Sequence, residues 1–140
     1  MGVGTNILGY NNQEVNKEVK KAIDNGNIST LNSYEEIYLA EKLLDMHPWF
    51  DKCKFARTGG EANAIAIRIA RAATGKSKIA ICGYHGWHDW YLSANIKNNK
   101  NLNKHLLENL KVQGVPKELK ETVYQFTPDS IADLKKIIKN

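Results

Sequence analysis

The stretch FARTGGEANAIAIRIARAATG, from Phe55 to Gly75, constrains the fold more than any other part of the chain. Two adjacent glycines, Gly59 and Gly60, separate a short apolar run from a long alanine-rich helix. The polar stripe of that helix is mainly Asn63, Arg68 and Arg71. Ala62, Ile65, Ala66, Ile69, Ala70 and Ala73 leave most of its circumference apolar and small. Such a helix is expected to be buried, packed closely on a sheet and on a further surface. The flanking runs CKFA and KIAIC read as short strands. Strand, helix and strand within roughly thirty residues is the βαβ unit of a parallel sheet. TVYQF is a third candidate strand, and PDSIADLKKIIK a closing helix with Pro128 at its start. The fold class is therefore α/β. Three strands are too few to cover this helix, so more chain or a partner subunit is expected to do so.

Upstream, the pattern is purely helical. NNQEVNKEVKKAID places Val15, Val19, Ala22 and Ile23 at helical spacing, with Gly26 as a stop. SYEEIYLAEKLLDMH offers Ser33 as N-cap and Glu36 three residues later as its capping-box partner. Ile37, Ala40, Leu43 and Leu44 then share one face, and Pro48 ends the helix. The change of rhythm divides the chain into a helical segment over 1–50 and an α/β segment over 51–140.

Composition narrows the setting. No apolar run approaches the ~20 residues that span a bilayer. MGVGTNILGY lacks the basic flank and apolar core of a secretory signal, and Asn6 stands where myristoylation wants Ser or Thr. A cytoplasmic location is expected. Cys53 and Cys82 are too few for a disulfide framework and read as small buried hydrophobes. The net charge is +5, of which residues 97–140 carry nine lysines against five acids. With only three arginines in the chain, that excess reads as a solvated face with Lys135, Lys136 and Lys139 on a surface helix. Base recognition favours arginine, so a nucleic-acid partner is not expected.

Chemistry concentrates at two turns. Thr58-Gly59-Gly60 lies where a strand's carboxyl end enters a helix, the crevice in which open α/β sheets bind ligands. The first amides of a helix lack intrahelical partners, and paired glycines leave them open to a phosphate. Thr58 can cap the helix or give its hydroxyl to a phosphate oxygen. Glu61 would repel an anion and should point away. A tight turn that binds nothing fits the same residues. A nucleotide P-loop is excluded despite TGKS, because Ala70 stands where that pattern needs glycine. The dinucleotide pattern G-x-G-x-x-G is also absent from the turn. At the second turn, CGYHGWHDWY, Tyr84 follows a strand and could stack a flat ring on a cofactor anchored at the glycines. Cys82, His85, His88 and Asp89 are metal-ligand types, but their spacing matches no standard zinc pattern and no metal is expected. Trp87, Trp90 and Tyr91 read as core or interface.

Taken together, FARTGGEANAIAIRIARAATGKSKIAICGYHGWHD, with GTNILGYNNQEV and STLNSYEEIYLAEKLLDMHP before it, resembles the class III pyridoxal-phosphate aminotransferases. Within them it is similar to the glutamate-1-semialdehyde aminomutase-like branch. The resemblance runs from near the N-terminus to Asp89 and continues more weakly through GVPKELKETVYQF.

The resemblance implies the large domain of a fold-type-I transferase, a mostly parallel sheet flanked by helices, working as a homodimer on a small amino or oxo substrate. It implies pyridoxal 5'-phosphate as cofactor. Thr58, Gly59 and Gly60 would then hold the phosphate, Tyr84 and His85 of the Tyr-His-Gly loop would meet the ring, and Ser29 and Thr30 would lie on the substrate side. Gly60 departs from the threonine usual at that place, so a hydroxyl contact to phosphate is lost. The chemistry also needs a lysine to hold the cofactor as a Schiff base and an acid at the pyridine nitrogen. In that family both come later in the sequence, and none of the 17 lysines here lies in a matching context. No catalytic residue is therefore assigned, and the chain is expected to be the front part of an aminotransferase, inactive alone. An aminomutase, or a truncated dimerisation or binding module, fits the same residues.

Overall fold

Helix ends set by side-chain caps organise the chain. The computed structural model describes residues 2–26 and 30–139, which divide into two units, Met1–Lys54 and Phe55–Asn140. In the first unit, α1 (Gln13–Asp24) starts where the Asn12 side-chain oxygen accepts from the Val15 amide at 3.1 Å. Helix α2 (Tyr34–Met46) starts with the reciprocal pair read from the sequence. The Glu36 amide donates to the Ser33 hydroxyl at 3.3 Å, and the Ser33 amide donates to the Glu36 carboxylate at 3.1 Å. Each bond satisfies an amide that the first turn leaves unpaired. No residue of either helix is fully buried.

The second unit holds the core. Helix α3 (Gly59–Thr74) is capped by Thr58 and closed by Gly75, whose φ of +66° suits a residue without a side chain. Arg71 Nε donates to the Ser77 carbonyl at 3.0 Å and fixes the turn out of the helix. Strand β1 (Ile79–Ile81) pairs in parallel with β2 (Val123–Gln125), Ile79 opposite Val123 and Ile81 opposite Gln125. Between the strands lie α4 (Asp89–Leu92), a 3₁₀ turn (Ser93–Asn95) and two further 3₁₀ turns (Asn101–Lys104, Lys117–Leu119). Helix α5 (Ile131–Ile138) closes the unit.

Ile81 and Val123 from the strands meet Trp90, Tyr91, Leu92, Ala94 and Leu102, with Ala64 and Ile67 of α3 packed against them. Burying a side chain such as Leu102 contributes about 1.5–3 kcal/mol. Asn95 is buried among these residues and braces the loop that follows. Its side-chain oxygen accepts from the Leu102 amide at 2.9 Å, and its side-chain nitrogen donates to the Leu110 carbonyl at 3.0 Å.

Several sequence expectations need correction. CKFA forms no strand, because among the described residues no second strand pairs with it, and Cys53 within it is exposed rather than buried. The helix read from Pro128 begins at Ile131, where the Ser130 hydroxyl caps the Asp133 amide at 3.2 Å. Of Trp87, Trp90 and Tyr91, read as core or interface, Trp90 and Tyr91 are core, and Trp87, 72 % exposed, is not. Helix α3 has no fully buried residue: Ala64 and Ile67 face the core, and Ile69 is 57 % exposed. Two strands cover one side of a helix and leave the other to solvent.

Candidate active site

The site is built on the entry to α3. The Thr58 hydroxyl oxygen accepts from the Glu61 amide at 3.1 Å, and the Glu61 carboxylate accepts from the Arg57 amide at 2.9 Å. This reciprocal cap holds the Glu61 charge back against the preceding chain, and it leaves the Thr58 hydroxyl proton able to donate. Asn63 Nδ2 donates to the Gly59 carbonyl at 2.8 Å, fixing the first turn from the other side. The amides of Gly59 and Gly60 are the first two of the helix and have no acceptor among the described residues. The helix dipole adds a partial positive charge there.

The loop after β1 comes to this turn. Gly83 and Gly86 adopt φ of +86° and +99°, a region that L side chains rarely enter, and they bracket Tyr84 and His85. A side-chain carbon at Gly86 would lie 3.5 Å from Gly60 Cα, and one at Gly60 would lie 2.5 Å from His88 Nε2. A Cβ at Gly59 would meet nothing within 4 Å. The glycine turn and the Tyr-His-Gly loop are therefore brought together through Gly60, Gly86 and His88.

Tyr84 is 37 % exposed, and its ring stands edge-on to Tyr91 with centroids 5.7 Å apart and planes at 84°. The exposed part of this ring is the surface on which a flat group could stack. His85 Nε2 lies 2.7 Å from the Cys82 carbonyl, which assigns that nitrogen the proton and ties the loop to the end of β1.

Two residues that sequence reasoning did not single out as functional lie behind Tyr84. The Tyr91 hydroxyl sits 3.0 Å from His105 Nδ1, and the two rings are stacked. Burial, with a smaller effect from Tyr84, pushes the Tyr91 phenol up to about 12. Burial, and to a smaller extent the neighbouring His85, hold His105 below the ordinary histidine range, so the neutral ring is favoured and its Nδ1 accepts the hydrogen bond that the Tyr91 hydroxyl donates. No sequence signal pointed to His105, which lies in a run without periodicity.

Among the described residues, no group of three His, Cys, Asp or Glu side chains comes together to hold a metal ion. Thr30 is exposed in the first unit, and Ser29 lies outside the described residues. A cavity of about 400 Å³ at the carboxyl end of β2, bordered by Lys100, Lys104, His105 and Phe126, does not include the glycine turn.

The family model described as "Aminotransferase class-III" matches residues 1–140. The chain belongs to this family. Class III relatives include the 3-aminobutyryl-CoA aminotransferase of Cloacimonas acidaminovorans, 34% identical over 97% of this chain and 29% of its own length. The 2'-deamino-2'-hydroxyneamine transaminase of Streptomyces kanamyceticus is 40% identical over 65% of the chain and 24% of its own length. A glutamate-1-semialdehyde 2,1-aminomutase of Methanothrix thermoacetophila is 38% identical over 64% of the chain and 21% of its own length. The chain thus spans less than a third of the class III relatives it matches. In three dimensions it is similar to an omega-transaminase from Sphaerobacter thermophilus. The TM-score is 0.76 at 25% identity, over 94% of this chain and 31% of that one. The fold is accordingly that of a fold-type-I transferase, of which the class III chain described here is a part. No helix among the described residues is long and apolar enough to cross a membrane.

Proposed function

We propose that this chain supplies the phosphate cradle and the ring platform of a pyridoxal 5'-phosphate enzyme that moves an amino group. The observation that carries the reading is the pair of amides at Gly59 and Gly60 without acceptors among the described residues, with Gly86 and the His88 side chain set against that same turn. The cradle fits the group: nothing blocks the approach at Gly59, and the one nearby carboxylate, Glu61, is held by the Arg57 amide.

In this reading the Gly59 and Gly60 amides donate to the phosphate ester, and the Thr58 hydroxyl adds a third donor. Hydrogen bonds from a positive helix end to a doubly charged ester are among the stronger ones available to a protein. Tyr84 keeps one face of the heterocycle from water while Tyr91 holds its edge. His85, bonded to the Cys82 carbonyl, fixes the loop that carries Tyr84. When bound, pyridoxal phosphate supplies an electron sink for the carbon bearing the amino group.

No lysine of this chain is assigned to the covalent step, so the chain alone binds without transferring. The whole protein would act on small amino and oxo substrates, as a cytoplasmic homodimer without nucleic-acid or membrane partners. The aminomutases among the relatives favour a second form of the same reading, in which the amino group moves between neighbouring carbons of one substrate.

The test is a titration of the purified chain with pyridoxal phosphate, followed by borohydride reduction and peptide mapping. Saturable binding with no single reduced lysine is expected. Equal affinity for pyridoxal phosphate and for pyridoxal would mean that the glycine turn is only a turn, and that result rejects the cradle. A stoichiometric label on one lysine, with an absorbance band that shifts on adding an amine, would reject the inactivity.

A further inference from the structure

Gly60 is not explained by its own backbone. It lies in the first turn of α3 with no left-handed φ, so no backbone conformation there calls for glycine. What a side chain there would meet is the ring of His88, which would have to move aside. A Cβ at position 60 would lie 2.5 Å from His88 Nε2 and 2.8 Å from Cδ2, closer than real Cβ atoms approach a neighbour. The imidazole edge carrying Nε2 therefore occupies the space over the first turn of α3 that a side chain at position 60 would fill.

The backbone that carries the ring is held from behind. The His88 carbonyl accepts from the Tyr91 amide at 2.9 Å and the Leu92 amide at 3.0 Å, and Trp90, Tyr91 and Leu92 are all buried. Neither ring nitrogen of His88 has a hydrogen-bond partner among the described residues, although Nε2 is the atom nearest the open turn. A ring nitrogen carried on this packed backbone thus lies beside the two unpaired amides.

We propose that His88 is a phosphate-binding residue of this site, its Nε2–H donating from the place that a hydroxyl side chain at position 60 would take. The proposal rests on reading Thr58–Gly60 as a phosphate cradle. It also accounts for the departure at Gly60: glycine there leaves the histidine ring the space it occupies.

The experiment uses pyridoxine 5'-phosphate and pyridoxine, which lack the aldehyde and so form no adducts with lysine, titrated calorimetrically into the purified chain. Wild type is expected to prefer the phosphate ester. His88→Ala should weaken the ester about ten-fold or more while leaving pyridoxine unchanged, because a hydrogen bond to a charged group is lost. His88→Gln, which keeps a donor, should recover part of the loss. Gly60→Thr alone should also weaken the ester, since its side chain and the ring compete for one space. The double variant Gly60→Thr with His88→Ala should bind within about three-fold of wild type, the new hydroxyl standing in for the imidazole. Circular dichroism of each variant guards against loss of fold. Wild type that does not distinguish the two ligands rejects the cradle itself, and this proposal with it. Wild type that distinguishes them overturns the role of His88 alone if His88→Ala does so equally. The double variant binding no better than His88→Ala has the same effect.

Discussion

Replacing Asn95 by alanine should unfasten the segment that follows it. The side chain is buried and makes two hydrogen bonds, accepting from the Leu102 amide and donating to the Leu110 carbonyl. Alanine removes both and leaves two backbone groups without partners. The Leu102 amide belongs to a residue with no exposed surface, so it bears the full desolvation penalty of about 1–3 kcal/mol. Leu110 is half-buried, and water can recover part of its share. The expected total is about 2–4 kcal/mol, a large fraction of the stability of a small domain. The assay is urea unfolding of the purified chain followed by tryptophan fluorescence, because Trp90 lies in the same core. Asn98→Ala is the control: its side chain caps only the exposed Lys100 amide, at 3.1 Å, and should cost about 0.5 kcal/mol or less. Asn95→Asp keeps the acceptor but loses the donor, so it should be destabilising at neutral pH and partly relieved by acid, when the protonated carboxyl can donate to Leu110. If Asn95→Ala and Asn98→Ala unfold at the same urea concentration, the brace has no energetic weight and the reasoning fails.

Three other outcomes follow from the same coordinates. Ser33→Ala breaks the reciprocal cap of α2 and should lower helicity by circular dichroism, costing about 0.5–2 kcal/mol. Tyr91→Phe leaves His105 Nδ1 without its donor, and should raise the His105 pKa and loosen the Tyr84 ring, both readable by NMR. His105 titrates below the ordinary value of 6.5 in the fold, so its contribution is full above 6.5 and is lost as pH falls through the lowered value. Tyr91, raised to about 12, contributes below its ordinary value of 10 and loses that contribution as pH rises through 12. His105→Gln should therefore flatten the acid limb of a stability profile and leave the alkaline limb from Tyr91 in place.

The helices were legible because their ends are written in local chemistry. Ser33 with Glu36, and Thr58, each act on a neighbour within about one turn, so sequence spacing alone carries the signal. Strands were legible only where a partner exists: KIAIC and TVYQF find each other, while CKFA is a similarly short apolar run with no ladder to join among the described residues. The Asn-rich run from Asn95 to Asn109 gave no periodicity because side chain–backbone bonds organise it. Asn101 reaches the Ala94 carbonyl at 2.7 Å, and the Asn103 side-chain oxygen accepts from the Asn109 amide at 3.0 Å. Bonds of that kind have no period. At the site, the glycine turn and Tyr84 could be read from the sequence. His88 could be read only as a ligand type, because its meeting with Gly60 joins residues 28 positions apart.

The parallel pairing of β1 with β2 has a temporal side. During synthesis at about 5–20 residues per second, Ile79 emerges some 2–9 s before the Val123 opposite it. The amide of Ile79 must wait that long for the carbonyl of Thr122. Over that interval α3 and the loop bearing Tyr84 have no finished sheet edge beneath them. A nascent chain halted in this window would display an apolar helix and an aromatic cluster to whatever chaperone is near, and a slow codon run placed there would lengthen the exposure.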